Sequence, residues 1–333
     1  MVIKMKVVIT GATGFLGFRT VEKLIEKGYE ILATGRDKTR AEKLRTLGVQ
    51  VETGSLEDKD FVQNLLKGAD IVIHSAALSS PWGKYNDFYK ANIVATENII
   101  SSSKKNNIKR IVHISTPSLY FDYRDRLNIK EEFLPDKFVN HYAATKYEAE
   151  KLMDKAFTEG LETISIRPRA IVGAGDTTIM PRLLKAQEAG KLKIIGDGKN
   201  IVDVTSVSNV VDAILLCMEA PKEAMGQKYN ITNDEPISLW ELIEKTFSKL
   251  NLVINKKRVP FGVAYNLAAF LETMAKLTPD YREPVLTCYG VGILAKSMTL
   301  NVDKAKNLLG YKANQSNMEA VDEFINWWEK NGN

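Results

Sequence analysis

The chain has 333 residues, 44% of them apolar, enough for one large or two interlocked domains around a real core. Its 46 Lys and Arg against 41 Asp and Glu leave +5, spread along the sequence, which argues against a dedicated nucleic-acid binder. Cys217 and Cys288 stand far apart and match neither a zinc spacing nor a CxxC pair, so no disulfide framework and no metal site are expected.

The apolar run at the N-terminus, MVIKMKVVITG, stops at a glycine-rich turn and lacks the length and cleavage chemistry of a signal peptide. Short β-branched runs then alternate with helical-period segments. Strands are predicted at Lys6 to Thr10, Glu30 to Thr34, Gln50 to Thr53, Ile71 to His74, Arg110 to Ser115 and Thr163 to Arg167. Helices are predicted near 15 to 27, 38 to 47, 58 to 67, 86 to 105 and 141 to 159. That alternation predicts an α/β fold, a doubly wound parallel sheet. Beyond Val172 the pattern changes, and Trp240 to Leu250, Val263 to Lys276 and Met318 to Glu329 read as helices of a smaller substrate domain. Val207 to Met218 and Lys228 to Thr232 read as a helix and a strand returning to the sheet. The expected division is therefore 1 to 170 plus about 201 to 233 for the first domain, and about 171 to 200 plus 234 to 333 for the second.

The first strand runs into Thr10-Gly11-Ala12-Thr13-Gly14-Phe15-Leu16-Gly17, and a helix follows at once. Glycines at i, i+3 and i+6 let backbone approach a pyrophosphate, whose charge is met by amides at a helix N-terminus. The cofactor contacts expected here are Gly11, Thr13, Gly14, Phe15, Leu16 and Gly17. The second strand ends in Ala33-Thr34-Gly35-Arg36, where an NAD site carries a carboxylate. Arg36 suits a 2′-phosphate and favours NADP(H) over NAD(H). The alternative makes Arg36 a solvated helix-start residue with Asp37 as a ribose contact. Ser55 and Leu56 would lie under the adenine, and Ala76 and Ala77 are small enough to let the chain pass close to the cofactor.

Tyr142 and Lys146 stand four apart in a helix-forming segment and project from one face. A phenol titrates near 10, and a neighbouring ammonium favours its ionised form. The fifth strand ends in Ser115-Thr116-Pro117, at the carboxyl edge where doubly wound sheets bind ligands, so a hydroxyl there can hold a substrate oxygen.

The assembled order of these parts resembles the extended (atypical) short-chain dehydrogenase/reductase superfamily over nearly the whole chain. Asp70 to Ala77, Trp82-Gly83, Asn92 to Asn98, Pro117 to Asp122, Glu131 to Pro135 and Ala305 to Tyr311 are similar to one branch of it. That branch holds 3β-hydroxysteroid dehydrogenases, sterol 4-carboxylate 3-dehydrogenases and 2-alkyl-3-ketoalkanoic acid reductases. The resemblance implies that Tyr142 is the acid/base, that Lys146 lowers its pKa and binds the nicotinamide ribose, and that Thr116 replaces the serine that orients substrate oxygen. Ser115 and Ser118 stay open as alternatives for that hydroxyl. It also implies a water relay supported by Asn92, with a structural role for this asparagine as the open alternative, and nicotinamide contacts at Pro168 and Ile171; Ser55 replaces the usual aspartate under adenine.

The expected activity is an NAD(P)-dependent oxidoreductase interconverting a secondary alcohol and a ketone on an apolar, steroid-like or long-chain 3-keto substrate. A nucleotide-sugar epimerase or dehydratase shares the same parts, although Pro117 occupies the place where a dehydratase wants a carboxylate. A cofactor-sensing protein without turnover would have lost Tyr142 and Lys146. Arg169 is a candidate for an anionic substrate group or a structural ion pair. Tyr265, Leu267, Phe270, Leu271 and Met274 pack the small domain, wall a pocket or rest on a membrane surface. No apolar stretch reaches the roughly 20 residues of a bilayer span. A cytoplasmic homodimer acting on a small apolar alcohol or ketone, with no nucleic acid, is expected.

Overall fold

A computed structural model describes residues 5–254 and 256–331 of the chain. The first four residues of the N-terminal apolar run therefore lie outside the described residues. Strands β1 (Lys6–Thr10), β2 (Glu30–Thr34), β3 (Gln50–Glu52), β4 (Ile71–His74) and β5 (Arg110–Ile114) join Glu162–Pro168 and Lys228–Ile231 in one seven-stranded sheet. From one edge the order is Lys228–Ile231, Glu162–Pro168, β5, β4, β1, β2, β3, and every pairing is parallel. The chain winds one way from β1 to β3 and the other way from β4 onward. The switch lies between β1 and β4, where Thr10 is in register with His74. Ligands bind at the carboxyl ends of strands flanking such a switch.

The strands alternate in side-chain direction, and each face has its own core. Val7, Ile9, Ile71, Ile73, Val112 and Ile166 pack under the helices Phe15–Glu26 and Val207–Glu219. Val8, Val72 and Ile111 pack under Val62, Leu65, Ile99 and Met153 on the other side. Burial on both faces is why these runs read as continuously apolar. The segment expected as one helix over 86 to 105 is three pieces, Tyr85–Phe88, a π-helical turn Tyr89–Val94 and Ala95–Lys105.

The remaining chain forms a smaller unit. Its four short strands lie in the order Ile237–Ser238, Ile201–Val202, Met298–Leu300, Arg126–Ile129. The helices Ile179–Glu188, Leu239–Lys249 and Asn317–Asn331 share a core with Leu184, Trp240, Phe247 and Phe324. Three segments lie elsewhere than the expected division puts them. Ile201–Val202 belongs to this small sheet, so the return to the large one starts at Val207; Arg126–Ile129 crosses over early. Ala305, Leu309 and Tyr311, expected in the substrate domain, bury themselves in the first core beside Lys228–Ile231. In the helix Phe261–Leu277, Ala264 and Ala268 face inward while Leu267, Phe270 and Met274 are exposed. Among the described residues no helix is long and apolar enough to cross a membrane, and no cluster of His, Cys, Asp and Glu could hold a metal.

Candidate active site

The turn after β1 is shaped by steric necessity. Gly11 has φ +70°, and a Cβ on it would stand 2.7 Å from the Ala76 amide nitrogen on the neighbouring strand's extension. A Cβ on Gly17 would stand 2.2 Å from the Gly11 carbonyl oxygen. Gly14 donates its amide to that same carbonyl at 2.9 Å and then serves as N-cap of Phe15–Glu26. No side chain caps this helix and no acidic residue lies in its first turn. Its leading amides and positive dipole end fit an anionic pyrophosphate. Thr13 packs against Gly35, where an added Cβ would meet its Oγ1 at 2.1 Å; Leu16 is buried in the core and Phe15 lies against Gly175.

At the end of β2, Arg36 is exposed and has no ion-pair partner among the described residues. Asp37 caps the helix Lys38–Thr46 by accepting the Arg40 amide at 2.9 Å. The carboxylate proposed for a ribose is thus engaged with backbone. Arg40, which the sequence reading passed over, reaches back to the Thr13 carbonyl at 3.2 Å. Ser55 Oγ accepts the Glu57 amide, and Asn98 Nδ2 donates to the Leu56 carbonyl, so the loop after β3 is pinned from behind. Ala76 donates its amide to Thr10 Oγ1 at 3.2 Å, and Ala77 follows, partly buried. Pro168 ends its strand fully inside, and Ile171 pairs with Thr205 one strand-turn later.

The helix His141–Thr158 is capped by Asn140, whose side chain accepts the Ala143 amide. It places Tyr142 at the carboxyl edge of the sheet, where the Ser79 and Thr116 side chains stand close enough to favour the ionised form of its hydroxyl. Of the three hydroxyls after β5, Thr116 is the one that meets the phenol. Thr116 Oγ1 also accepts the Ser118 amide at 3.1 Å and donates to Ser118 Oγ at 3.0 Å, and Ser118 Oγ lies 3.0 Å from the Tyr289 hydroxyl. Ser115 Oγ is buried without a partner among the described residues. Ser79 escaped the sequence reading; its only signal was the small polar pair after Ala76-Ala77.

Lys146, one helical turn on from Tyr142, reaches across to β5. It is buried, and its Nζ lies 2.8 Å from His113 Nε2 on β5. Burial lowers its pKa to about 8, against the attraction of Glu150. At Tyr142 burial dominates and raises the pKa, with the Ser79 and Thr116 hydrogen bonds pulling the other way. Without another charge the phenol is therefore protonated at neutral pH. Burial, rather than the helical-turn spacing to Lys146, sets the direction of this shift.

Asn92 makes protein contacts through both polar atoms of its side chain. Its Oδ1 accepts the Leu78 amide at 2.8 Å and its Nδ2 donates to Thr145 Oγ1 at 3.0 Å. It sits in the π-helical turn and clamps the Ser79 segment to the first turn of the Tyr142 helix. A directed chain of hydrogen bonds lies behind it. The Ala76 amide donates to Thr10 Oγ1, which is 2.8 Å from His74 Nδ1; His74 Nε2 is 3.0 Å from Thr96 Oγ1, which donates to the Asn92 carbonyl at 2.6 Å. Each hydroxyl has one proton, so the chain runs in one direction and His74 is neutral with its proton on Nε2. Burial likewise holds its pKa down, to about 3.

Arg167 makes a buried bidentate pair with Glu150, at 2.8 and 2.5 Å, and also bonds Tyr120 and the Glu131 carbonyl. Arg169 has a buried Nε with no hydrogen-bond partner among the described residues, and its charge favours the ionised form of buried Asp203. A cleft of about 620 Å³ lined by Tyr123, Phe133, Phe138, Val139 and Tyr265 opens on the small unit's side; Thr116, Tyr142 and Lys146 do not line it.

Residues 7–232 match the model of the NAD dependent epimerase/dehydratase family. The chain belongs to that family. It is 33% identical to 2-alkyl-3-oxoalkanoate reductase of Stenotrophomonas maltophilia, over 92% of this chain and 94% of that protein. It is 30% identical to a 4-hydroxy-2-methyl-3-oxo-4-farnesyl-3,4-dihydroquinoline-1-oxide ketoreductase of Stigmatella aurantiaca, over 96% and 95%. Among solved structures, UDP-glucuronic acid 4-epimerase of Bacillus cereus in complex with NAD superposes with a TM-score of 0.78 over 98% of this chain and 99% of that one. Its 21% identity speaks to the fold.

Proposed function

We propose that the chain is an NADP(H)-dependent ketoreductase and dehydrogenase acting on a small apolar alcohol or ketone, a 2-alkyl-3-keto acid or 3-hydroxysteroid-like molecule. The observation that carries this reading is the Tyr142 hydroxyl near the Ser79 and Thr116 side chains at the sheet's carboxyl edge, the same edge at which β1 runs into the glycine turn. The relatives named as reductases of alkyl and farnesyl keto compounds support the substrate class. Arg36, exposed and unpaired, with Arg40 behind it and Asp37 engaged as a cap, supports a 2′-phosphate.

The helix Phe15–Glu26 and the glycine turn would hold the pyrophosphate, Arg36 the 2′-phosphate, and Lys146 the nicotinamide ribose. When bound, the nicotinamide supplies or accepts the hydride. In reduction, Thr116 and Ser79 orient the carbonyl oxygen, and Tyr142, kept protonated by its burial, gives that oxygen its proton. In oxidation the phenolate, the form left by that transfer, takes the proton from the alcohol. Asn92 keeps Ser79 and Tyr142 at a fixed separation through Leu78 and Thr145. We assign cofactor binding to residues 1–170 with 207–233, and substrate selection to the smaller unit.

NADPH consumption with 2-alkyl-3-oxoalkanoates, 3-ketosteroids, simple aldehydes and UDP-sugars tests the reading. Turnover confined to apolar ketones is expected, with Tyr142→Phe reducing it by at least about 100-fold. Interconversion of UDP-sugars without net NADPH loss, or an active Tyr142→Phe enzyme, would overturn it.

A further inference from the structure

His113 lies on β5 with its side chain wholly buried, inside the site yet outside the catalytic set described above. Its Nε2 is 2.8 Å from Lys146 Nζ and its Nδ1 is 3.1 Å from Ser165 Oγ. An ammonium has three donors and no acceptor, so Nε2 must present a lone pair to it. The proton of the ring then sits on Nδ1 and is donated to Ser165. This tautomer is the reverse of that of His74, whose ring stacks on His113 at 5.8 Å.

We propose that His113 is a positioning residue for the reaction: by accepting from Lys146 through Nε2 it anchors the ammonium beneath the ribose site and keeps it charged. The inference rests on the cofactor role proposed for Lys146. His113 is not a proton exit, because Ser165 beyond it is itself buried. The charged and titratable groups facing the pair are His74 from β4, Arg167 from the strand Glu162–Pro168, and Tyr142 and Glu150 on the lysine's own helix. Lys146, His74 and Arg167 all disfavour a second proton on His113, and burial disfavours it most, so the ring remains an acceptor. Glu150 aids the ammonium from one turn away but makes its hydrogen bonds to Arg167. Among the described residues, His113 is the acceptor in contact with Lys146 Nζ.

The test is the pH dependence of NADPH binding, followed by nicotinamide fluorescence on the intact protein, so that no substrate has to be chosen. Wild-type affinity should fall as pH rises past about 8, where Lys146 loses its proton. His113→Asn places an amide at the Nδ1 position and can still reach Ser165, whereas His113→Gln places one at the Nε2 position and can still accept from Lys146. The expected result is a midpoint about one unit lower or more in His113→Asn, and one near wild type in His113→Gln. Both variants keep a polar group of similar volume, and thermal melts check their folding. If the Asn and Gln midpoints coincide, or His113→Asn keeps the wild-type midpoint, the positioning role is overturned. If the wild type binds NADPH with this pH dependence but reduces no ketone, the functional reading falls while this inference stands.

Discussion

Replacing Lys146 with Met should stabilise the protein while abolishing its activity. The lysine is buried, and burial lowers its pKa from 10.5 to about 8, so below pH 8 its charged form is disfavoured by about 3 kcal/mol relative to the unfolded chain. Methionine has nearly the same length and carries no charge. The substitution leaves His113 Nε2 without its donor, which costs about 1–2 kcal/mol. The net gain is about 1–2 kcal/mol at neutral pH. For 333 residues the unfolding entropy is about 0.7 kcal/mol/K, so Tm should rise by roughly 1–3 °C. Calorimetry across pH gives a second signature. Between pH 8 and 10.5 the unfolded lysine still binds a proton that the native one has lost, so wild-type stability gains on the variant as pH rises. The advantage of Lys146→Met should therefore be full below pH 8 and fade toward 10.5. A Tm that falls by several degrees, or a difference independent of pH, would refute the reasoning and make Lys146 a structural cation.

Arg36→Ala should raise KM for NADPH about 10-fold to 100-fold, the worth of a charge-assisted phosphate contact, and leave KM for NADH unchanged; equal effects on both would remove the 2′-phosphate role. Gly17→Ala should abolish NADPH binding in a fluorescence titration, since its Cβ would stand 2.2 Å from backbone of the phosphate turn; tight binding by that variant would show the turn to be movable. Glu150→Ala leaves Arg167 buried without its carboxylate and should cost about 3–5 kcal/mol, seen as a Tm lower by roughly 4–7 °C. A change under about 1 °C would mean that Tyr120 and the Glu131 carbonyl suffice for Arg167.

The large sheet was legible because its strands are buried on both faces and each carries its own uninterrupted apolar run. Lys6–Thr10, Glu30–Thr34 and Ile71–His74 match their expected ranges, and Arg110–Ile114 ends one residue short of Ser115. Arg126–Ile129 was not legible. Its two middle residues are exposed, and its partner Met298–Leu300 lies about 170 residues away, so no local periodicity marks it. The helix Cys288–Ala295 contains two glycines and little amphipathic contrast; Gly292 is required there because Phe121 and Tyr123 pack within 2.8 Å of where a Cβ would stand. The π-helical turn holding Asn92 follows from tertiary hydrogen bonds to Leu78 and Thr145, not from the residues that form it.

The site divides along the same line. The places in the fold of Gly11, Gly14, Gly17, Thr116, Tyr142 and Lys146 were readable, because each sits at a strand end or a fixed helical offset. What Lys146 and Tyr142 do with their protons was not readable, because that is decided by depth. Spacing alone suggests an ammonium beside a phenol, each favouring the other's charge. Burial pushes both the opposite way, toward neutral lysine and protonated tyrosine, and gives the lysine a histidine acceptor contributed by a different element. A protonated phenol is the form that reduction of a ketone needs. With its pKa held at about 8, in part by the nearby Glu150 charge, the lysine stays largely protonated at neutral pH, so depth in the fold, rather than the Tyr142–Lys146 spacing, decides the direction in which each group shifts.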